Sequence, residues 1–308
     1  MKKILITPKI NPDLDGLACA YAYAMLLNMI KKNKDAEYVC GIYGNFQPEV
    51  EFMINYFKIK DFAHNPGDKF DSFIIVDASD IKGMPECIEP NSVVEVIDHR
   101  ESHKAKELFP NSKIQIELIG AAATLIFERF RENNIEINII SGFLLYGAIH
   151  SNSLNLKSGI TSKRDVLAAS YLKDKFDIRN DFVFNMFKYK TGKIFINLEK
   201  NIVNDFKIIE SDIGSIGIAQ IEGVNVLDLI NINLLDIKLA LKKIKDNNNL
   251  DYIFLTSVDI RNNKNFFIVV ENETQKMLEI KMNLVFNRGV SVLDKMILRK
   301  QIIPLLLK

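Results

Sequence analysis

Sulfur chemistry is nearly absent from this chain: its three cysteines, Cys19, Cys40 and Cys87, lie far apart and form no Cys-x-x-Cys pair. That excludes a disulfide framework and a thiolate zinc site. Neither sign of charge is in excess. Forty basic residues against thirty-nine acidic ones leave a net charge of +1, so the overall balance calls for no nucleic acid and no anionic membrane, and any anion site must be local. Long apolar runs are missing as well. The run after Met1-Lys2-Lys3 is too short for a signal peptide, and no later run reaches membrane-spanning length. No internal repeat is visible. The expectation is a soluble, cytoplasmic protein without nucleic-acid or membrane partners.

What is present is alternation. With 308 residues the chain can build two separate cores. In the first half, short β-branched runs at residues 4–7, 38–43, 72–76, 93–97 and 114–118 alternate with helical patterns at 16–30, 50–57, 102–108 and 121–130. This is the signature of a parallel sheet covered by helices on both faces, an α/β doubly wound domain. Residues 139–189 read as helical throughout, with Thr161-Ser162 as an N-cap. The stretch 190–204, with Thr191-Gly192, lacks clear periodicity and reads as a linker. Two domains are expected, 1–190 and 200–308. The second is a smaller α/β unit with strands at 206–210, 215–221, 252–256 and 266–270 and helices at 229–244 and 274–282.

In an open parallel sheet, ligands bind beyond the carboxyl ends of the strands. Three such places here are acidic. In Asn11-Pro12-Asp13-Leu14-Asp15-Gly16 a turn lets two carboxylates two positions apart converge. Asp77 follows the strand at 72–76, and Asp98-His99-Arg100 follows the strand at 93–97. Carboxylates with an imidazole suit manganese, magnesium or cobalt, and a two-metal hydrolytic site is the sharpest reading. The plainer one is that each aspartate caps a helix or a turn.

These residues, in this order, resemble the DHH phosphoesterases, and among them the manganese-dependent family II inorganic pyrophosphatases with the related exopolyphosphatase and prune proteins. Asn11 to Asp15 looks like the first motif of that family, Asp77 like its bridging aspartate and Asp98-His99-Arg100 like its Asp-His-His. Residues 117–124 and 149–154, Lys157-Ser158 and Thr161 to Asp165 are similar to its fourth-motif region. Asp205-Phe206-Lys207, residues 218–222 and residues 298–304 are similar to its C-terminal domain. The resemblance implies a DHH domain followed by a DHHA-type domain, with the active site in the cleft between them. It implies one or two ions of Mn2+, or of Mg2+ or Co2+, held by Asp13, Asp15, Asp77, His99 and Asn152. Catalytic roles are implied for Asp98, Arg100 and Lys9, and phosphate binding for Arg100, Lys207, Arg299 and Lys300.

Four positions depart from the family pattern. Lys9 stands where a ligand histidine is expected, and an ammonium offers a metal no lone pair. Asn152 replaces a ligand aspartate; its amide oxygen can coordinate but brings no charge. Arg100 replaces the second histidine, as in prune-like members, gaining a phosphate fork and losing a proton donor. Leu298 replaces a phosphate-binding arginine. Asp15, Asp77 and His99 then form the stronger metal site, with Lys9 paired to Asp13 and Asp77 in place of the other ion or contacting substrate phosphate directly. His150 reads as a structural histidine. The leading function is metal-dependent hydrolysis of inorganic pyrophosphate or short-chain polyphosphate. The alternatives are a small-nucleotide phosphodiesterase and a catalytically impaired descendant that binds phosphate, nucleotide or a partner. Expected partners are a phosphate-containing small molecule and, for assembly, a second copy of the chain in a homodimer.

Overall fold

The computed structural model of the chain describes residues 1–30, 35–67, 69–100, 104–196, 198–204 and 206–307. It divides into two compact units, residues 1–186 and 187–308. Among the described residues, no helix is long and apolar enough to cross a membrane.

The first unit begins β1 (Lys2–Thr7), α1 (Leu14–Met29), β2 (Ala36–Ile42), α2 (Pro48–Phe57), β3 (Ala63–His64), β4 (Ser72–Val76), β5 (Val93–Asp98), α3 (Ala105–Leu108) and β6 (Lys113–Ile116). It continues with α4 (Ala122–Glu132), α5 (Ile139–Asn152), α6 (Lys163–Phe176) and the start of α7 (Phe182–Ile196). The six strands pair in parallel in the order β3-β2-β1-β4-β5-β6. Successive residues of a strand face opposite sides, and both Leu5 and Ile6 of β1 are fully buried. The sheet is therefore covered on both faces, which makes a near-continuous apolar strand necessary. One face packs Leu5, Phe73, Ile75, Val93 and Val96 with Phe109.

Helix α1 starts two residues before the expected position because Asp13 caps it: the Asp13 carboxylate accepts from the backbone N–H of Asp15 and of Gly16. Gly16 is needed there, since a Cβ on it would lie 2.8 Å from Pro8 Cβ. The loop after β1 thus lies directly on the first turn of α1. Helix α6 opens with a capping box, Ser162 and Asp165 satisfying each other's backbone N–H.

The second unit contains α8 (Leu198–Asn204), β7 (Phe206–Ser211), β8 (Gly214–Gly223), α9 (Val226–Asn247), β9 (Tyr252–Asp259) and β10 (Lys264–Val269). It ends with α10 (Asn272–Met282), β11 (Phe286–Asn287), β12 (Val290–Leu293) and α11 (Arg299–Leu306). Its sheet runs β11-β12-β10-β9-β8-β7; β8 and β9 are parallel and the other pairs antiparallel. Neighbours Phe254 and Leu255 on β9 enter different cores, so this sheet too is covered on both faces.

The stretch 190–204, expected as a linker, is helical where described. Ile194, Phe195, Leu198 and Ile202 bury against the second unit's core. Thr191, within that expected linker, is buried and donates to the Phe187 carbonyl one turn back while accepting from Val224 N–H. Tertiary packing outweighs the weak local propensity of Thr-Gly here. Short strands β3, β11 and β12 and helix α11 were not foreseen; strands of two to four residues carry too little alternation to register. Ser102, at the start of a helix expected over 102–108, and Asp205 lie outside the described residues.

Candidate metal centre

The strand order of the first sheet reverses between β1 and β4, so the connections leaving these two strands diverge to opposite faces and leave a crevice beyond their carboxyl ends. Three chain segments deliver polar residues into it. The loop from β1 into α1 brings Asp13 and Asp15, the end of β4 brings Asp77, and the end of β5 brings Asp98, His99 and Arg100.

Asp77 adopts a left-handed backbone, φ 53°, which aspartate tolerates better than bulkier residues do. The bend keeps its N–H on the Ile97 carbonyl of β5 at 2.8 Å and turns the buried side chain toward His99. Asp77 Oδ1 lies 3.4 Å from His99 Nε2, and Asp15 Oδ2 lies 3.8 Å from the same nitrogen. Among the described residues, Asp15, Asp77 and His99 form a buried group whose ligand atoms all fall within 4.8 Å of one another. His99 Nδ1 sits 3.0 Å from the Ile119 carbonyl. A carbonyl only accepts, so Nδ1 carries the hydrogen and Nε2 is the nitrogen turned to the carboxylates.

Asp15 is anchored from several sides. Its Oδ2 accepts from Ala122 N–H at 2.8 Å and its Oδ1 from Ala123 N–H at 2.8 Å. These are the free donors at the start of α4. The Cys19 thiol donates to Oδ1 at 3.5 Å. Burial and the neighbouring Asp77 charge nevertheless push the Asp15 carboxyl above its ordinary range, and burial and Asp13 do the same to Asp77. Burial pulls His99 down, but the bond to Asp77 and the charges of Asp15 and Asp77 outweigh it and raise the imidazole to about 9. Two crowded carboxylates held above their usual range, beside an imidazole whose pKa they raise, mark a concentration of negative charge suited to a cation. Asp77 Oδ2 is buried and has no hydrogen-bond partner among the described residues. Two carboxylates, one of them with an unsatisfied oxygen, and one imidazole fit a divalent ion of the manganese, magnesium or cobalt type.

The other expected site residues are placed differently. Asn152, expected as an oxygen ligand, presents its nitrogen instead: Nδ2 donates to Asp15 Oδ2 at 2.7 Å. A neutral amide beside a buried carboxylate is more stable as a donor than as a second acceptor. Asp98 is buried but engaged elsewhere, accepting from Ser79 Oγ at 2.6 Å and from its neighbour His99 N–H at 2.7 Å; it shapes the turn after β5. Asp13 caps α1, and its carboxyl lies below the ordinary range because Lys9, the Gly16 N–H and Arg100 outweigh the effect of burial. Lys9 is thus an electrostatic partner of Asp13. Arg100, with its side chain 47% exposed, puts Nη2 on Asp77 Oδ1 at 2.8 Å and directs Nε to His99 Nε2 at 3.4 Å. His150 is the structural residue expected: Nδ1 bonds Asn155 Oδ1 at 2.8 Å, the ring packs on Tyr146, and burial lowers its pKa to about 4.

In the second unit, Lys207 on edge strand β7 pairs across from Ile218 of β8, and Arg299 Nη1 donates to the Ile218 carbonyl at 3.4 Å. The Arg299 N–H, opening α11, donates to Gln220 Oε1 at 2.6 Å. Lys207 of β7 and Arg299 of α11 therefore both neighbour Ile218 of β8, and Lys300 follows as an exposed residue of α11.

Asp165 is the supporting residue that sequence reasoning missed. Beyond its capping box it accepts from Gly120 N–H at 2.9 Å and Thr124 Oγ1 at 2.6 Å. It thereby clamps the segment whose Ile119 carbonyl orients His99 and whose Ala122 and Ala123 hold Asp15. The Ser-x-x-Asp spacing signals the cap; nothing local signals the clamp.

Strand order and donor set together define an α/β protein whose parallel sheet carries a carboxylate–imidazole cluster at its switch point. The profile of the DHH family, N-terminal domain, matches residues 3–148, and that of the DHHA2 domain matches residues 185–308. The chain belongs to the DHH family, with a DHHA2 domain after the DHH domain. It is 27% identical over 310 residues to the manganese-dependent inorganic pyrophosphatase of Bacillus subtilis strain 168, covering 99% of this chain and 98% of that protein. A probable manganese-dependent inorganic pyrophosphatase of Bacillus cereus strain 03BB102 is 26% identical over 312 residues, with the same coverage. Among solved structures, a family II inorganic pyrophosphatase described for Methanococcus jannaschii superposes with a TM-score of 0.67 at 24% identity, covering 98% of each chain. An exopolyphosphatase-related protein from Bacteroides fragilis does so at 0.51 and 13% identity, covering 99% of this chain and 90% of that one. These likenesses carry the fold: a parallel DHH sheet followed by a second sheet.

Proposed function

We propose that this chain hydrolyses a phosphoanhydride, inorganic pyrophosphate or short-chain polyphosphate, with a divalent ion held by Asp15, Asp77 and His99. The observation that carries the reading is the buried group of Asp15, Asp77 and His99, in which Asp77 Oδ1 lies 3.4 Å from His99 Nε2 and Asp77 Oδ2 has no hydrogen-bond partner among the described residues. The curated relatives that span the whole chain are named as manganese-dependent inorganic pyrophosphatases, which supports both the ion and the substrate class.

Lewis acidity is what such an ion supplies: it lowers the pKa of water and draws charge from phosphoryl oxygens. The chain's own residues hold and orient. The Ile119 carbonyl keeps the Nε2 of His99 turned inward, and the first turn of α4 keeps Asp15 in place. Arg100, half-exposed and only partly engaged by Asp77 and His99, retains N–H donors for a phosphoryl oxygen, but holds its proton too tightly to protonate a leaving group. Lys207, Arg299 and Lys300 supply further positive charge for phosphate oxygens.

A second reading, a catalytically impaired binder of phosphate or nucleotide, is favoured by one contact: Asn152 occupies an Asp15 lone pair that a ligand set would leave free. Manganese-dependent phosphate release from pyrophosphate and tripolyphosphate separates the two. Release is expected from the protein and none from an Asp77→Ala control; equal, background release from both with every divalent ion tried leaves only the binder.

A further inference from the structure

We propose that Asn265 and Gln220 are positioning residues for Arg299: they fix the backbone at the start of α11 and thereby hold the guanidinium beside the strand pair that carries Lys207. The inference rests on the proposed reading of Arg299 and Lys207 as phosphate contacts and deepens it.

Core packing alone sets no register for the chain entering α11. Ile297, Ile302 and Leu306 belong to one apolar cluster with Phe254, Phe267 and Leu278, but apolar contacts are non-directional. Three consecutive residues are held instead by directed bonds. The Asn265 side chain brackets Ile297: Oδ1 accepts from its N–H at 3.0 Å and Nδ2 donates to its carbonyl at 2.8 Å. The N–H of Leu298 donates to Gln301 Oε1 at 2.9 Å, and that of Arg299 to Gln220 Oε1 at 2.6 Å.

Each amide has one orientation that satisfies its surroundings. Asn265 faces a backbone donor and a backbone acceptor, which decides which end is oxygen, and its Nδ2 also donates to Thr256 Oγ1 at 2.8 Å. Gln220 Nε2 donates to Glu222 Oε1 at 2.9 Å, leaving Oε1 for Arg299. Both amides are buried, and a buried amide is tolerated when its hydrogen bonds are made. Each therefore holds the segment at one place.

That place decides where the head group lands. Ile218 and Gln220 are two positions apart on β8 and share a face of the sheet. Lys207 of β7, paired with Ile218, shares it too. Arg299 is tied at both ends to this strand, its N–H on Gln220 and its Nη1 on the Ile218 carbonyl at 3.4 Å. A shift of residues 297–299 carries the guanidinium away from Lys207.

The experiment is calorimetric titration of the full chain, stripped of metal so that nothing turns over, with inorganic pyrophosphate. Asn265→Leu and Gln220→Leu are each expected to weaken binding about 10- to 100-fold, the effect of one misplaced charge-assisted hydrogen bond. Gln220→Leu decides alone where Asn265→Leu does not fold. Thr256→Val removes the other acceptor of Asn265 but leaves Ile297 bracketed, and is expected to keep the affinity. In an Arg299→Gln background, adding either leucine is expected to weaken binding by less than about 2-fold more, because both act through the arginine. A merely structural role would lower the folded fraction, read as fewer binding sites at unchanged affinity. Unchanged affinity in the folded variants, losses that add to that of Arg299→Gln, or no pyrophosphate bound by the unaltered protein overturns the inference. Phosphate release with Mn2+ is scored separately. Weakened binding in the variants with no release from the unaltered protein keeps the positioning roles and defeats hydrolysis; release with unchanged affinities does the reverse.

Discussion

Asp15 shows how one side chain can be both anchored and primed. Two backbone N–H groups of α4, the Cys19 thiol and the Asn152 amide surround its oxygens, so an incoming ion must displace at least one donor. Asn152 is the one free to turn, being a side chain rather than backbone. Replacing it, Asn152→Asp, exchanges a 2.7 Å hydrogen bond for a pair of facing carboxylates. The ion-free protein should lose about 1–3 kcal/mol, while Mn2+ binding tightens because a neutral donor has become an anionic ligand. Urea unfolding with and without Mn2+ checks this, and a loss of equal size in both conditions would rule it out. Residue types at Asp15, Asp77 and His99 were legible because each follows an apolar strand at the end where a parallel sheet binds ligands. The role of Asn152 was not. An amide offers both a donor and an acceptor, and which end faces the site depends on what lies opposite, here a carboxylate 137 positions away in the chain.

At the level of elements, the centre depends on α6 although no residue of α6 enters it. Asp165 accepts from Gly120, Thr124 and Ser162, and the clamped segment supplies the Ile119 carbonyl and the first turn of α4. Asp165→Ala strands the buried Gly120 N–H and Thr124 hydroxyl. A stability loss of about 3 kcal/mol is expected, together with a 10- to 100-fold weaker Mn2+ affinity, the usual consequence of removing the partner that orients a ligand. Calorimetric titration of the folded variant distinguishes the roles: unchanged affinity would reduce Asp165 to a cap. Elements of the first unit were readable to within a few residues, since long apolar runs and a capping residue are local signals. Helices α7 and α8 over 190–204 were not, because Thr191 and Gly192 have poor helix propensity and the segment is held by Thr191, Ile194, Phe195, Leu198 and Ile202 packing against distant strands.

For the whole molecule, an ion bound by the native centre and not by the unfolded chain must stabilise the fold. At a Mn2+ concentration one hundred times the dissociation constant, the gain is about 2.7 kcal/mol. The unfolding midpoint should rise accordingly, and hydrogen exchange should slow around Asp15, Asp77 and His99. Asp77→Ala should abolish both effects; a midpoint that rises equally in that variant would mean that Mn2+ acts elsewhere.

Composition and pattern determined by themselves that the chain has an α/β domain with a covered parallel sheet, that acidic residues stand where its strands end, and that the donors are hard to borderline. Those properties depend on residue type and on spacing along the chain. Tertiary structure alone decided that Asp15 is held by the start of α4, that Asn152 donates rather than accepts, that Asp98 serves a turn, and that Arg100 lies on Asp77. Those contacts join residues 19 to 137 positions apart, apart from bonds within the turns themselves. Hydrogen-bond and Coulomb energies are settled over a few ångströms, and only the folded backbone brings such residues within that distance.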